Sequence, residues 1–125
     1  MVVNQLAIYT QNDKGNVYNI LKILGDNLIN IESLNLADTE DFGILRLVTN
    51  DNKKAEKVLV EAGYLTTLTD LFSISVKNEP GDLEKVLKKL ADQKINIEYI
   101  YSYSKDGMTY ILVKTDDIEK TKKVL

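Results

Sequence analysis

The sequence predicts an α+β protein made of two copies of one β-α-β-β-α-β unit, each an antiparallel sheet with its helices on one face, the second copy lacking its last strand. Two observations carry this prediction. The first is an internal repeat: at an offset of 66 residues, positions 1–59 lie over 67–125 without a gap, and 17 of those 59 pairs are identical. Unrelated sequences of this composition would give about a third of that or fewer. The identities come in blocks, such as Ile29-Asn30-Ile31-Glu32 over Ile95-Asn96-Ile97-Glu98. The second is the hydrophobic period, which passes in each copy from alternation to helical spacing, back to alternation, and to helical spacing again.

Each element follows from that pattern. Leu6 to Tyr9 and Phe72 to Val76 alternate and stop at the turn clusters Asn12-Asp13-Lys14-Gly15 and Asn78-Glu79-Pro80-Gly81, as strands do. Val17, Ile20, Leu21, Leu24 and Leu28, matched by Leu83, Val86, Leu87 and Leu90, give one apolar helical face. Ile31 to Leu36 and Phe42 to Thr49 form a hairpin around Asp38-Thr39-Glu40-Asp41. Ile97 to Tyr103 and Met108 to Thr115 repeat it around Ser104-Lys105-Asp106-Gly107. A second helix follows, capped by Asn50 or Asp51 and by Asp116 or Asp117, and ended in the first copy by Gly63. Leu65 to Thr69 completes the first copy, and the second has no counterpart of that run.

With right-handed crossovers this order gives the ferredoxin-like sandwich, strands one and three central, and the units divide as 1–69 and 70–125. The third strand is apolar on both sides, with Ile44 and Val48 opposite Leu45 and Leu47, and with Tyr110 and Leu112 opposite Ile111 and Val113. Something must therefore cover the helix-free face as well. Asp70 is the only charged residue between Leu68 and Phe72, so the strand that ends one copy is expected to run on into the next. The second copy's missing strand leaves an edge that needs cover, and a homodimer burying sheet edges or helix-free faces is the expected answer.

Composition closes off whole classes of function. The 125 residues are 44% hydrophobic and 28% charged, with no cysteine, histidine or tryptophan. That excludes a thiol nucleophile, a Cys/His zinc site, a Ser-His-Asp triad and imidazole acid–base catalysis. Lys+Arg 16 against Asp+Glu 19 and a pI near 5.0 argue against nucleic acid, whose binders gain affinity from clustered cations. No stretch approaches the roughly 18 to 20 apolar residues of a membrane span, and the first residues do not read as a leader, so a cytoplasmic protein is expected.

The turn before the first helix of each copy is the most informative place. Gly15 and Gly81 let a ligand approach the backbone, and the amides of the first helical turn attract a carboxylate. Asn12 and Asn78 precede them, and Asn30 and Asn96 follow at fifteen residues past each glycine. An asparagine offers a donor and an acceptor, which suits an amino acid's ammonium and carboxylate. The same residues also suit a helix cap, a turn and a strand start, and the spacing alone leaves both uses open.

These motifs resemble the ACT family of small ligand-binding regulatory domains, and in particular its stand-alone proteins of two tandem units. The best-matched pieces are Asn78-Glu79-Pro80-Gly81-Asp82-Leu83, the two Ile-Asn-Ile-Glu runs, and the hairpin from Ala37 to Leu47. The resemblance covers nearly the whole chain and implies amino-acid sites where the turn before helix one meets strand two of a neighbouring unit. Matched residue by residue, it points to Asn12 with Asn30 and to Asn78 with Asn96, around Gly15 and Gly81. The second copy is the better site because Pro80 stiffens its loop, whereas the first copy has Lys14 there.

Three further features invite a role. Arg46, the single arginine, suits a bidentate carboxylate clamp or a structural ion pair. Tyr99, Tyr101 and Tyr103 share one face of a strand, as a packed interface or an aromatic-lined pocket. Asp38, Glu40 and Asp41 make an acidic hairpin turn that reads as solvated rather than as a metal site. The resemblance implies a non-catalytic, amino-acid-binding regulatory protein without a cofactor, acting on a partner such as a metabolic enzyme. The alternative is a structural dimerisation or docking module that binds nothing small.

Overall fold

The computed structural model describes residues 1–11, 13–38 and 42–125. The elements run β1 (Val2–Thr10), α1 (Asn16–Asp26), β2 (Ile31–Asp38), β3 (Gly43–Thr49), α2 (Asn52–Glu61), β4 (Leu65–Val76), α3 (Asp82–Asp92), β5 (Ile97–Lys105), β6 (Met108–Thr115) and α4 (Ile118–Val124). The two copies therefore share one element order through their second helices, α2 and α4.

Two compact units form, Asn4–Thr69 and Asp70–Leu125 with Met1–Val3. In the first the strand order is β2-β3-β1-β4, with β3 antiparallel to both β1 and β2 and Leu6 opposite Leu47. Strands one and three are thus the central pair. Side chains that share a face with Leu6 and Ile8 meet α1 and α2 in a core of Ile20, Leu24, Leu45, Leu47, Ala55 and Leu59, all fully buried. The other unit orders β4-β6-β5 and packs Leu90, Ile95, Ile111 and Val113 beneath α3 and α4. On the opposite face of the third strand Val48 and Leu112 are buried too, so both sides of β3 and β6 lie out of water.

β4 is one strand of 12 residues, and Asp70 does not interrupt it. Its first half closes the first copy and its second half opens the second. Within the second copy's part of β4, one residue is paired with the start of the chain: Ser73 N donates to Met1 O at 2.7 Å and Met1 N donates to Ser73 O at 3.0 Å. Met1–Val3 belong with the second unit for that reason, although in sequence they open the first copy. Pairing between residues more than seventy apart leaves no local mark in the sequence.

Turn chemistry behaves as the residues demand. Asp106 and Gly107, at φ 52° and 77°, make a two-residue hairpin turn between β5 and β6. Gly63, at φ 94°, follows the last helical residues of α2. Thr39, Glu40 and Asp41 of the first hairpin lie outside the described residues.

Candidate functional site

The four helix starts are of two kinds. α2 and α4 are capped by side chains: Asp51 Oδ1 accepts from Lys54 N at 3.1 Å, and Asp117 Oδ1 accepts from Lys120 N at 2.9 Å. α1 and α3 begin instead on Gly15 and Gly81, both left-handed at φ 86° and 87°, with no side-chain cap among the described residues. Only the first amide of each is used locally, Asn16 N to Asp13 O and Asp82 N to Glu79 O. Among the described residues the amides of Val17 and Tyr18, and of Leu83 and Glu84, have no partner, and the positive helix ends stay open. A left-handed glycine is needed here because the strand must turn sharply into the helix, and that conformation strains any residue with a Cβ.

The two starts differ in charge. α3 carries Asp82 and Glu84 in its first turn, with Lys85 Nζ 3.8 Å from Asp82, while α1 has no acidic residue there. A carboxylate alone is better received at α1, and a zwitterion, whose ammonium the acids attract, suits α3.

Asn78 and Pro80 are exposed in the loop leading to Gly81. Neither Asn78 nor any other side chain caps α3. Asn12 lies outside the described residues. Asn30 and Asn96 are exposed where α1 and α3 give way to the next strand. Their backbones are held by two-way bonds: Asn30 N donates to Asn50 Oδ1 at 3.0 Å and Asn96 N to Asp116 Oδ1 at 3.1 Å. In return Asn50 N and Asp116 N donate to their carbonyls. The tie uses the side chains of Asn50 and Asp116, which the sequence offered only as possible caps. It leaves the side-chain amides of Asn30 and Asn96 without a partner among the described residues.

Register separates the glycines from these asparagines. Val76, which leads to Gly81, lies opposite Thr109, whereas Ile97, next to Asn96, lies opposite Thr115. Six residues of strand between them span about 20 Å. Thr10 opposite Gly43 and Ile31 opposite Thr49 repeat the separation in the first copy. A free amino acid cannot reach both ends of one unit, so a site using both residues takes its asparagine from a different unit.

Arg46 sits mid-strand, half-buried, with Nη1 3.3 Å from Asn35 Oδ1. It alternates with Leu45 and Leu47 and so points away from the helices, on the face opposite α1. It is not brought to Gly15 of its own unit. The tyrosines also lie on the helix-free face, with Tyr99 and Tyr101 ring centroids 6.5 Å apart and Tyr103 stacked on Tyr110 at 5.2 Å. Among the described residues no group of acids is placed to hold a metal ion.

Three concavities accompany these features. One, of about 370 Å³, is lined by Tyr9, Thr10, Gln11, Phe42 and Leu65 at the end of β1. A second, of about 490 Å³, runs along α3 past Leu83, Leu87 and Ala91. The third, of about 220 Å³, lies between Leu83, Ile100, Tyr101, Ser102 and Ile111, at the Gly81 end of its unit. Sequence reading missed it, because a serine in an alternating strand reads as a solvent-facing residue.

Comparison with known proteins agrees with this architecture. The family model described as an ACT domain pair matches residues 1–125. Protein BT0572 from Bacteroides thetaiotaomicron is 34% identical, superposes with a TM-score of 0.93, and matches over 100% of this chain and 87% of its own. The regulatory subunit of aspartate kinase from Thermus thermophilus shares 15% identity at a TM-score of 0.70, over 99% and 94% of the two chains. Aspartokinase III from E. coli, in complex with lysine and aspartate, shares 16% at a TM-score of 0.56, over 98% of this chain and 29% of that one. No curated protein sequence matches the chain. Among the described residues no helix is long and apolar enough to cross a membrane.

Proposed function

The chain belongs to the family of ACT domain pairs, and from that premise we propose that it is a non-catalytic regulatory protein whose ligand is a free amino acid. The ligand carboxylate sits on the open amides at the start of α3, after Gly81, or of α1, after Gly15. Asn78 or Asn12 contacts it from the loop. Asn96 or Asn30, from another unit, fixes its orientation. The observation that carries this reading is the contrast among helix starts: α2 and α4 are capped by aspartates, while α1 and α3 begin on left-handed glycines and keep their amides open.

Pro80 holds φ in the loop of the second copy, which reduces the entropy lost when the loop is fixed around a ligand. The lysine and aspartate in the E. coli aspartokinase III structure make those two amino acids natural first trials. Regulation requires that the ligand favour one arrangement of units over another, with a coupling of about 1 to 3 kcal/mol. The effect is delivered to a partner, such as a metabolic enzyme, through a homodimer of this chain.

A second reading, an assembly module without a small ligand, is favoured by apolar side chains left in water on the outermost strands, Leu34, Leu36 and Ile100. Calorimetric titration with the proteinogenic amino acids separates the two. Saturable binding that weakens about 5-fold to 150-fold in Asn96→Ala, the range for losing one buried amide partner, is the result expected here. Absence of heat for every amino acid at millimolar concentration favours the assembly module.

A further inference from the structure

The outermost strands of the two copies place matching residues over their helices, with one exception. Leu34 and Leu36 of β2 lie opposite the core residues Leu47 and Leu45, and so share their face. Ile100 and Ser102 of β5 stand in the same way opposite Val113 and Ile111. Three of these four positions are branched aliphatic, and the fourth is a serine. The smaller side chain leaves open the cleft of about 220 Å³ whose floor is Ile111 and whose walls are Leu83 and Ile100. Those walls remain 38% and 39% exposed, apolar surface left in water. The Ser102 hydroxyl has no hydrogen-bond partner among the described residues.

Leu83 joins this cleft to the start of α3. Its side chain forms a wall, and its amide is one of the two left open behind Gly81. The volume corresponds to roughly seven waters at about 30 Å³ each, and it lies below the 300 to 1,000 Å³ or so of pockets for larger ligands. Asp82 and Glu84 beside it repel an acidic side chain. We infer that this cleft receives a branched aliphatic side chain, so that the second copy selects a leucine-, isoleucine- or valine-like amino acid over alanine and glycine. The inference rests on the start of α3 being the carboxylate seat.

Calorimetry on the full chain with leucine, valine, alanine and glycine tests it. Wild type is expected to bind leucine at least about 10-fold more tightly than alanine, the lower end of what extra methylene groups contribute in an apolar pocket. Ser102→Leu installs the first copy's residue and is expected to erase that preference, with alanine and glycine changed by less than about 3-fold, as for a surface substitution. Ser102→Ala keeps the space and is expected to keep the preference. A leucine preference that survives Ser102→Leu overturns the cleft and leaves the carboxylate seat standing. So does a Ser102→Leu variant that changes self-association in sedimentation but no amino-acid affinity, because the cleft then receives a protein side chain. Absence of heat with all four amino acids removes the carboxylate seat, and the cleft's role with it.

Discussion

The two copies share an element order and 17 of their 59 aligned residues, yet they differ in packing. The first closes over nine fully or nearly fully buried side chains, from Leu6 to Leu59, and has its own fourth strand. Among the described residues, the second has a smaller helix-side cluster, Leu90, Ile95, Ile111 and Val113, pairs Ser73 with Met1, and has a second helix of 7 residues. A duplicated unit can thus keep one copy as the better-packed half while the other keeps apolar walls in water beside an open helix start. The contrast suits a first copy that contributes most of the stability and a second that carries the ligand selection proposed above.

The largest effect that would break this comparison comes from the equivalent core leucines. Leu24→Ala and Leu90→Ala make the same substitution at 0% and 1% exposure, within a range of about 2 to 5 kcal/mol. Leu24→Ala is expected near the upper end and Leu90→Ala near the lower, because Leu90 has partly exposed neighbours such as Leu87 that can move inward. Urea unfolding of both variants measures the difference, and equal losses would mean that the cores are equivalent.

Next in size is the cap pair. Asp51→Ala and Asp117→Ala each remove one bond to a helix amide, a loss of about 0.5 to 2 kcal/mol. The shorter α4 should fray more, visible as a greater fall in helical circular dichroism for Asp117→Ala. A greater fall for Asp51→Ala would put the weaker helix in the first copy.

Deleting Met1–Val3 removes the bonds between Met1 and Ser73, each contributing about 0.5 to 1.5 kcal/mol. The Ser73 amide should then exchange its hydrogen faster while the Leu47 amide of the first copy does not change. Unaltered Ser73 protection would show that this edge has other cover.

Much of this architecture is legible in the sequence because it is local and repeated. The alternation of Ile31 to Leu36, the helical spacing of Val17 to Leu28 and the αL glycine at position 63 are each decided within a few residues. Continuity through Asp70 is legible too, because a strand tolerates a polar residue on its exposed face, and β4 runs on through it as expected. Two other features depend on partners distant in the chain. Met1 opposite Ser73 has no local signal, and Ser102 turns toward the helices only because β5 registers it opposite Ile111. The loop glycines stood out by type and spacing. That Asn50 and Asp116, rather than Asn30 and Asn96, supply the side chains for the strand-start bonds needed the geometry.

The smallest expected effect concerns charge. Glu84→Gln removes one of two acids from the first turn of α3, which α1 lacks. A simple carboxylate such as acetate should bind that turn more tightly by about 0.3 to 1 kcal/mol at low salt, and less as salt is raised. An unchanged affinity would mean that the charge difference between the copies has no part in selecting ligands.

The most direct measurement is an amide chemical-shift titration of the whole chain with leucine. The open amides of Leu83 and Glu84 are expected to move most, those of Val17 and Tyr18 less, and the capped amides of Lys54 and Lys120 to stay in place. Saturating shifts that leave Leu83, Glu84, Val17 and Tyr18 untouched would contradict that expectation.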